Sequence, residues 1–383
     1  MSGLILLGLL GLALGLLALP FLPALREWQH PTDTTPLQVV REHDSDIRSF
    51  AQRLRAWVAL ELGDVLAAAR QPGANVQMVR WNRDEFAVLP PGQTLASPAG
   101  VLPHGVVALG AWQLPAGHEA PREVWCGGDV RIGPSARLRA LVSEGAVHLE
   151  AGATLDRWLD AEGPVRADDG VGLGRRASSQ QALLLGLGVR FERLQAPIIE
   201  VTAKQAGNSP TAAPTPSATF GQPEPGTALG EPGAKALPAW WPQVQWLDEG
   251  QQHARIKGPV TVPAGGQVPC HLIVEGDLHL EDDVICHGAV KASGQLRMGA
   301  RSQVLGATFG MSGIDMGEGS RSAGPLVSEG HVEARGGARV GLHGRPTTVS
   351  AETFSAHPGS TFHGSIWIRQ GGSSIPASPD HEE

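Results

Sequence analysis

The chain has 383 residues, enough for two or three domains or for one long repeat body. Its formal net charge of -8 and isoelectric point of about 6.0 give no reason to expect nucleic-acid binding. Fifty glycines and thirty prolines favour a body of many short strands and turns, interrupted by flexible segments. Three cysteines, an odd number with no CxxC pair, argue against a disulfide framework or a zinc site and mildly favour a reducing compartment.

The first predicted element is a membrane anchor. Residues 3–25 carry no charge, and at about 1.5 Å a residue they would span roughly 35 Å, enough to cross a bilayer core. The alternative is a cleaved signal peptide, which would need basic residues before the apolar run, and Met1 and Ser2 supply none. We therefore predict a single transmembrane helix over residues 1–25.

Basic residues near the ends of this helix predict its orientation. None precedes it, whereas several arginines follow it, and positive charge collects on the cytoplasmic side of a membrane. The body is therefore predicted to lie in the cytoplasm, with the short N-terminus outside. The arginines are Arg26, Arg41, Arg48, Arg53 and Arg55.

Residues 26–103 are predicted to form a helical juxtamembrane region and the lead-in to the main body. Apolar residues in its first half recur at steps of three and four, as in an amphipathic helix. Such a helix either packs on the protein's own body or serves as an interfacial or self-associating helix. The apolar positions are Val40, Ile47, Phe50, Leu54, Trp57 and Val58.

An internal repeat predicts the fold of the rest. Glycines recur in steps of 17 or 18 residues, and apolar residues follow each of them at the second and fourth positions, with polar residues between. This alternation is typical of strands with one buried face, and glycine suits the corners because it accepts a positive φ. The glycines are Gly110, Gly128, Gly145 and Gly163, then Gly258, Gly276 and Gly294.

Units of this size cannot bury an apolar face alone, but stacked units share a core. The sequence therefore predicts an all-β protein whose main body is a parallel β-helix with coils of 17–18 residues. We expect a first β-helix segment over 104–203, a Pro/Ala/Gly-rich linker over 204–240, a second segment over 241–370 and a disordered tail over 371–383. The two segments either form separate β-helices or one continuous helix with the linker looped out.

No residue set predicts catalysis, a cofactor site or a metal site. The carboxylates Asp160, Glu162, Asp168 and Asp169 cluster at corners, where aspartate is a common turn residue. The cysteines are Cys126, Cys270 and Cys286; the last falls on an inward position, and none has an evident paired base. The histidines fit surface and corner positions: His271, His279, His287, His343, His357 and His363.

The segments VEGDLHLEDDVICHG, SGQLRMGARSQVLG and SEGHVEARGGARVGLHG, with WCGGDVRIGPSARLRALVSEGAVHLEAGATL, resemble the bactofilins, polymer-forming cytoskeletal proteins of bacteria. The likeness covers roughly 105–175 and 255–345. It implies a right-handed, three-sided β-helix that joins end to end into nucleotide-free filaments on the cytoplasmic membrane and localises envelope enzymes. It brings no catalytic residues. This chain departs from the family in its anchor and its linker.

Together these features predict a membrane-anchored scaffold of the bacterial inner membrane that self-associates and recruits envelope proteins, rather than an enzyme. An open last coil is a template for another copy. We therefore expect a subunit contact there, through Phe354, Phe362, Ile366 and Ile368. The alternative is an envelope polysaccharide-binding or polysaccharide-modifying β-helix protein.

Overall fold

The computed structural model describes residues 46–81, 84–95, 97, 99–202, 241 and 244–376. Residues from Ile47 onward belong to one compact unit, to which the following description applies. The predicted anchor over 1–25 lies outside the described residues. Within the described part of the chain, no helix is both long and apolar enough to cross a bilayer.

Most of the described chain is a parallel β-solenoid of about 14 turns, which confirms the predicted β-helix. A hairpin, β1 and β2, leads into the first segment, which consists of β3–β13. The strands are β1 Gln77–Trp81, β2 Asp84–Leu89, β3 Gly105–Ala108, β4 Trp112–Leu114, β5 Glu119–Cys126, β6 Val130–Ile132, β7 Arg137–Ser143, β8 Val147–Leu149, β9 Thr154–Ala161, β10 Val165–Ala167, β11 Arg176–Ser179, β12 Ala182–Leu185 and β13 Arg190–Val201.

The second segment has more and shorter strands. They are β14 Gln245–Trp246, β15 His253–Lys257, β16 Val260–Val262, β17 Gln267–Val268, β18 His271–Glu275, β19 Leu278–Leu280, β20 Ile285–Cys286, β21 Val290–Ala292, β22 Gln295–Met298, β23 Gln303–Val304, β24 Thr308–Gly310, β25 Gly313–Met316, β26 Arg321–Ser322, β27 Leu326–Ser328, β28 His331–Ala334, β29 Arg339–Val340, β30 Thr347–Ala356 and β31 Thr361–Ser374.

Each turn of the solenoid has three faces, which we name A, B and C. In the second segment β15, β16 and β17 form faces A, B and C of one turn, and each pairs in parallel with the same face of the next turn, β18, β19 and β20. In the first segment β4 and β6 lie on face B, while β5 and β7 run across face C and then face A.

The predicted inward alternation is confirmed on both segments. Strand β6 has the burial order buried, exposed, buried, with Val130 and Ile132 inside and Arg131 outside, and β19 repeats this order. Cys286 also points inward and is fully buried. Inward side chains from both segments belong to one continuous apolar core.

Several of the repeat glycines are needed for close approach rather than for backbone conformation, whereas Gly258 has open space and a positive φ of 87°. Gly163 has no positive φ, but a Cβ there would lie 2.7 Å from the backbone of Gly145 one turn below. The positive φ falls seven residues later, at Gly170 with φ 73° and at Ser135 with φ 55°. The expectation that positive φ explains the corner glycines is therefore wrong for Gly163 and correct for Gly258 and Gly170.

The two segments meet at their C-terminal ends. Strand β13, the last of the first segment, pairs antiparallel with β31, the last of the second, with Leu194 opposite Ile366 and Ile199 opposite Phe362. At the junction, face A of the first segment pairs with face A of the second. Face B of the first segment pairs with face C of the second, and face C of the first pairs with face B of the second. The core is therefore continuous, but the chain runs in opposite directions on the two sides of the junction.

Two helices cover part of the first segment. They are α1, Ser49–Glu61, and α2, Gly63–Ala69. The buried side chains of α1, among them Leu54 and Trp57, pack on outward apolar residues of face A such as Val107 and Val142. Trp57 stacks on Trp81 with ring centroids 4.7 Å apart. Of the two alternatives for the amphipathic region, the structure thus has the helix packing on the protein's own body.

Candidate functional site

Each end of a solenoid presents one edge strand per face, and these edges are the first candidate surfaces. At the start of the second segment, Val260 donates its N–H to the Asp277 carbonyl, and Glu281 donates to the Val262 carbonyl. Backbone groups alternate in direction along a strand, so the N–H and C=O of Thr261 point away from β19 toward the open end. Among the described residues, no strand pairs with β16 on that side.

The start of the first segment has the same arrangement on face B. Trp112 donates to the Asp129 carbonyl, and Gly133 donates to the Leu114 carbonyl, so the backbone groups of Gln113 between them point to the open end. In the part of the chain that the structure describes, β4 pairs with β6 alone. Each outer end of the solenoid therefore keeps an edge strand on face B of its own segment, and because the junction matches face B to face C, the two edges lie on different sides of the solenoid.

Face A of each end is covered, whereas among the described residues β17, on face C of the second segment, pairs with β20 alone. At the second segment, β14 pairs antiparallel with β15 on face A, and Trp241 and Trp246 pack against the core with ring centroids 6.1 Å apart. At the first segment, β2 pairs with β3 on face A, and Leu102 caps the core. Core side chains are thus shielded from water while the face B strands keep an edge.

The end predicted to contact another subunit is covered by the chain itself. Phe354, Phe362, Ile366 and Ile368 are all at most 4% exposed. Phe354 lies 6.0 Å from the ring of Phe191, and Phe362 and Ile366 lie opposite residues of β13. The expectation of an uncapped last coil is corrected, because the first segment supplies its cap. A contact of these residues with a second copy would require the junction to open.

The predicted start of a disordered tail is also corrected. Residues 371–374 belong to β31, and the buried Ser374 hydroxyl donates to the Gly186 carbonyl and accepts the N–H of Val189. These bonds cross the junction, so they hold the last strand to the first segment. Residues 377–383 lie outside the described residues.

The carboxylates form ion pairs and turn contacts rather than a catalytic groove. Asp160 lies under α1, where it accepts hydrogen bonds from Arg48 at 2.9 Å, from the Ser178 hydroxyl at 2.6 Å, and from Arg55. Burial alone would raise the pKa of Asp160, but these hydrogen bonds outweigh it and hold the pKa below its usual value. Glu162 pairs with Arg48 at 2.7 Å.

The other two carboxylates lie at a different corner. Asp168 accepts from Arg166 at 3.0 Å and lies 2.9 Å from His148, while Asp169 accepts the N–H of Leu187 at 2.9 Å. Asp169 therefore links one turn to the next through a backbone hydrogen bond. The four carboxylates are not brought together.

Most of these histidines occupy surface or turn positions, and His357 is buried. His279 and His287 are exposed, His271 accepts the N–H of Ala289 at 2.9 Å, and His357 lies 3.2 Å from a carboxylate oxygen of Glu333. His363 donates to the Pro197 carbonyl across the junction, and its ring makes an edge contact with His343 at 6.1 Å. Burial lowers the pKa of His363, and His343 and Arg339 lower it further.

The cysteines are buried core residues. Burial raises the pKa of Cys126 and of Cys270 to about 11 and that of Cys286 to about 12. Such thiols stay protonated and unreactive at neutral pH. Among the described residues, no three side chains of His, Cys, Asp or Glu lie together as a metal site would require.

Comparisons with known proteins found no matching family model, no matching curated protein and no matching solved structure. Sequence reasoning missed Gln113 and Thr261, because an edge strand has the same alternation as any other strand. The one available signal for Thr261 was that its strand is among the first after the linker.

Proposed function

We propose that the protein is a membrane-anchored, bactofilin-like structural scaffold that self-associates end to end. The observation that supports this most directly is the junction, where two solenoid ends of this chain already join by strand pairing. The two outer ends keep an edge strand on face B, so the same kind of contact is available between copies. The proposal assigns no catalytic role.

Two ends that are open among the described residues favour a polymer over a dimer. A contact through one end alone, made between identical surfaces, closes at two copies. Contacts through both outer ends continue without limit and produce a filament. We therefore propose a filament in which the edges at β4 and β16 each pair with an outer end of a neighbouring copy and so extend the solenoid from one copy to the next.

The membrane part of the proposal rests on the apolar residues 3–25 and the arginines that follow them. A single-pass anchor in the bacterial inner membrane would hold the scaffold in the cytoplasm against the membrane, where it could position envelope proteins. Right-handed coiling, which the resemblance to bactofilins implies, belongs to the same proposal. The polysaccharide-binding or polysaccharide-modifying alternative stays a prediction.

The test uses a backbone change at the proposed contact. Thr261→Pro removes the N–H that points to the open end but none that pairs with β19. Thr261→Ala is the matched control, because it keeps this N–H. In sedimentation of the full chain in detergent, we expect the wild type and Thr261→Ala to form large assemblies and Thr261→Pro to shift to small species. Equal assembly by all three would contradict the proposed contact.

A further inference from the structure

The two segments present equivalent face A surfaces, but the described helices cover only one of them. Counting turns outward from the junction, Val142 lies on the fourth turn of the first segment and Phe309 on the fourth turn of the second. The third turns carry Asp160 and Val327 at the same outward position. Helix α1 packs on these third and fourth turns of the first segment, at β9 and β7.

The covered surface has three parts that explain why a helix fits there. A column of outward residues near the corner of faces C and A includes the small Ala140, which lets the helix approach closely. The next column supplies apolar bulk, as at Val142. Acidic residues at the corner of faces A and B, Glu144 and Glu162, receive Arg55 and Arg48 of the helical region.

The second segment repeats the first two parts. Small residues stand in the column near the corner of faces C and A, at Ala289 and Ala307. The next column is apolar on the third and fourth turns, at Val327 and Phe309, and Lys291 separates Phe309 from Ile273 further out. On the coil that contains Phe309, the large side chains of Leu305, Phe309 and Met311 are 39%, 36% and 44% exposed.

The acidic corner is repeated in part, with Met311 at the fourth-turn position that Glu144 holds in the first segment. Glu329 stands one residue beyond its face A strand, as Glu144 and Glu162 do in the first segment, and Glu275, the last residue of β18, holds the equivalent corner position further out. Glu275 pairs with Arg255, whereas Glu329 is exposed and, in the part of the chain that the structure describes, has no ion-pair partner at its carboxylate. A basic side chain arriving on face A would meet Glu329 where Arg48 meets Glu162.

We propose that face A of the second segment, centred on Phe309 with Ala307, Met311, Val327 and Glu329, is a docking site for an amphipathic α-helix of another protein. The helix would carry an apolar stripe flanked by arginine or lysine, as α1 does. The chain's own α1 cannot fill this site while it stays in place, because its apolar stripe is buried on the first segment. The scaffold would then use one segment to hold its own helix and the other to recruit a partner.

The probe is a labelled peptide with the sequence of residues 46–71 of this chain, which has the required stripe and arginines. It is titrated against the intact full chain in detergent, and fluorescence anisotropy reports binding. We expect saturable binding that Phe309→Asp weakens by about tenfold or more, because a charge replaces the apolar centre of the site. The matched control is His279→Asp, a charge at an exposed outward position on face B.

Glu329→Lys tests the contact with the basic flank of the peptide, and we expect this variant to bind the peptide more weakly. We also expect a higher salt concentration to weaken peptide binding to the wild type. Circular dichroism confirms that each variant keeps its strands. Absence of peptide binding to the wild type would overturn the proposal. Binding of equal affinity to Phe309→Asp would also overturn it, because that result is expected if the peptide takes the place of α1 on the first segment. The titration measures peptide binding whether or not copies of the chain assemble. A negative result would therefore not bear on the proposed self-association.

Discussion

Asp160 holds α1 to the solenoid through a set of charges enclosed between them. Its carboxylate is almost fully buried, and Arg48, Arg55 and Ser178 surround it. A buried carboxylate is costly unless it is paired, and removing Asp160 leaves Arg48 and Arg55 only their more exposed pairs with Glu162 and Glu144. The sequence showed these acids and arginines but not that residues more than 100 positions apart would meet, because that depends on which face the helix covers.

We expect Asp160→Ala to lower the free energy of unfolding by about 3 kcal/mol at neutral pH. The folded-state pKa of Asp160 is lowered, so its contribution is present above the unfolded pKa of about 3.9 and is lost as the pH falls through the folded value. Urea unfolding at neutral and at acid pH measures both. Asp156→Ala, which removes an exposed pair with Arg137, is the control and should cost about 1 kcal/mol or less. An equal loss at the two positions would contradict this account.

The three cysteines offer a second residue-scale test. Their pKa values are raised to about 11 or 12 by burial, so the thiolate is scarce in the folded chain even at pH 8. We expect a thiol reagent to modify none of them at pH 8 until denaturant is added, and then all three. Rapid modification of Cys126 in the folded protein would show that its strand opens.

Strands and corners were the most predictable elements, since each turn repeats the same alternation of apolar and polar residues after a glycine. Alternation after Gly128 placed Val130 and Ile132 inside correctly, and the same rule worked at Gly276. The role of the glycines was not predictable, because close backbone approach depends on the neighbouring turn. Gly163 and Gly170 both look like corner glycines in the sequence, yet only Gly170 has a positive φ.

The two kinds of glycine should respond differently to alanine. Gly163→Ala places a Cβ 2.7 Å from the backbone of Gly145, and moving a neighbouring turn should cost about 1–3 kcal/mol. Gly170→Ala has open space but a φ of 73°, which costs about 1–2 kcal/mol from backbone strain alone. Chemical denaturation compares them, and Gly170→Asn, which tolerates this φ, should recover part of the loss. No recovery by asparagine would contradict the backbone explanation.

The direction of the second segment is the feature of the whole molecule that the sequence did not determine. The repeat in the sequence is the same whichever end of the second segment stacks on the first. The linker sequence does not indicate which strands of the two segments pair. The reversal places β31 on β13, buries Phe362 and Ile366, and leaves Thr261 and Gln113 at the outer ends. The surface available for self-association therefore differs from the one that the last coil suggested.

A disulfide can test the junction directly. Gln195 and Ser365 are register partners across the antiparallel pair, at a spacing that a disulfide can bridge. We expect Gln195→Cys with Ser365→Cys to cross-link on oxidation within one chain. Gln195→Cys with Thr348→Cys, one strand further away, is the control and should not. Mass spectrometry after proteolysis identifies the bond, and cross-linking only between chains would mean that the junction forms between copies.

The central claim is that the solenoid continues from one copy to the next through its outer ends. Electron microscopy of the purified full chain in detergent tests it most directly. We predict unbranched filaments with the width of a single solenoid, and their loss in favour of particles of at most two copies in Thr261→Pro but not in Thr261→Ala. Uniform single particles of the wild type, at concentrations where the chain stays folded, would contradict the claim.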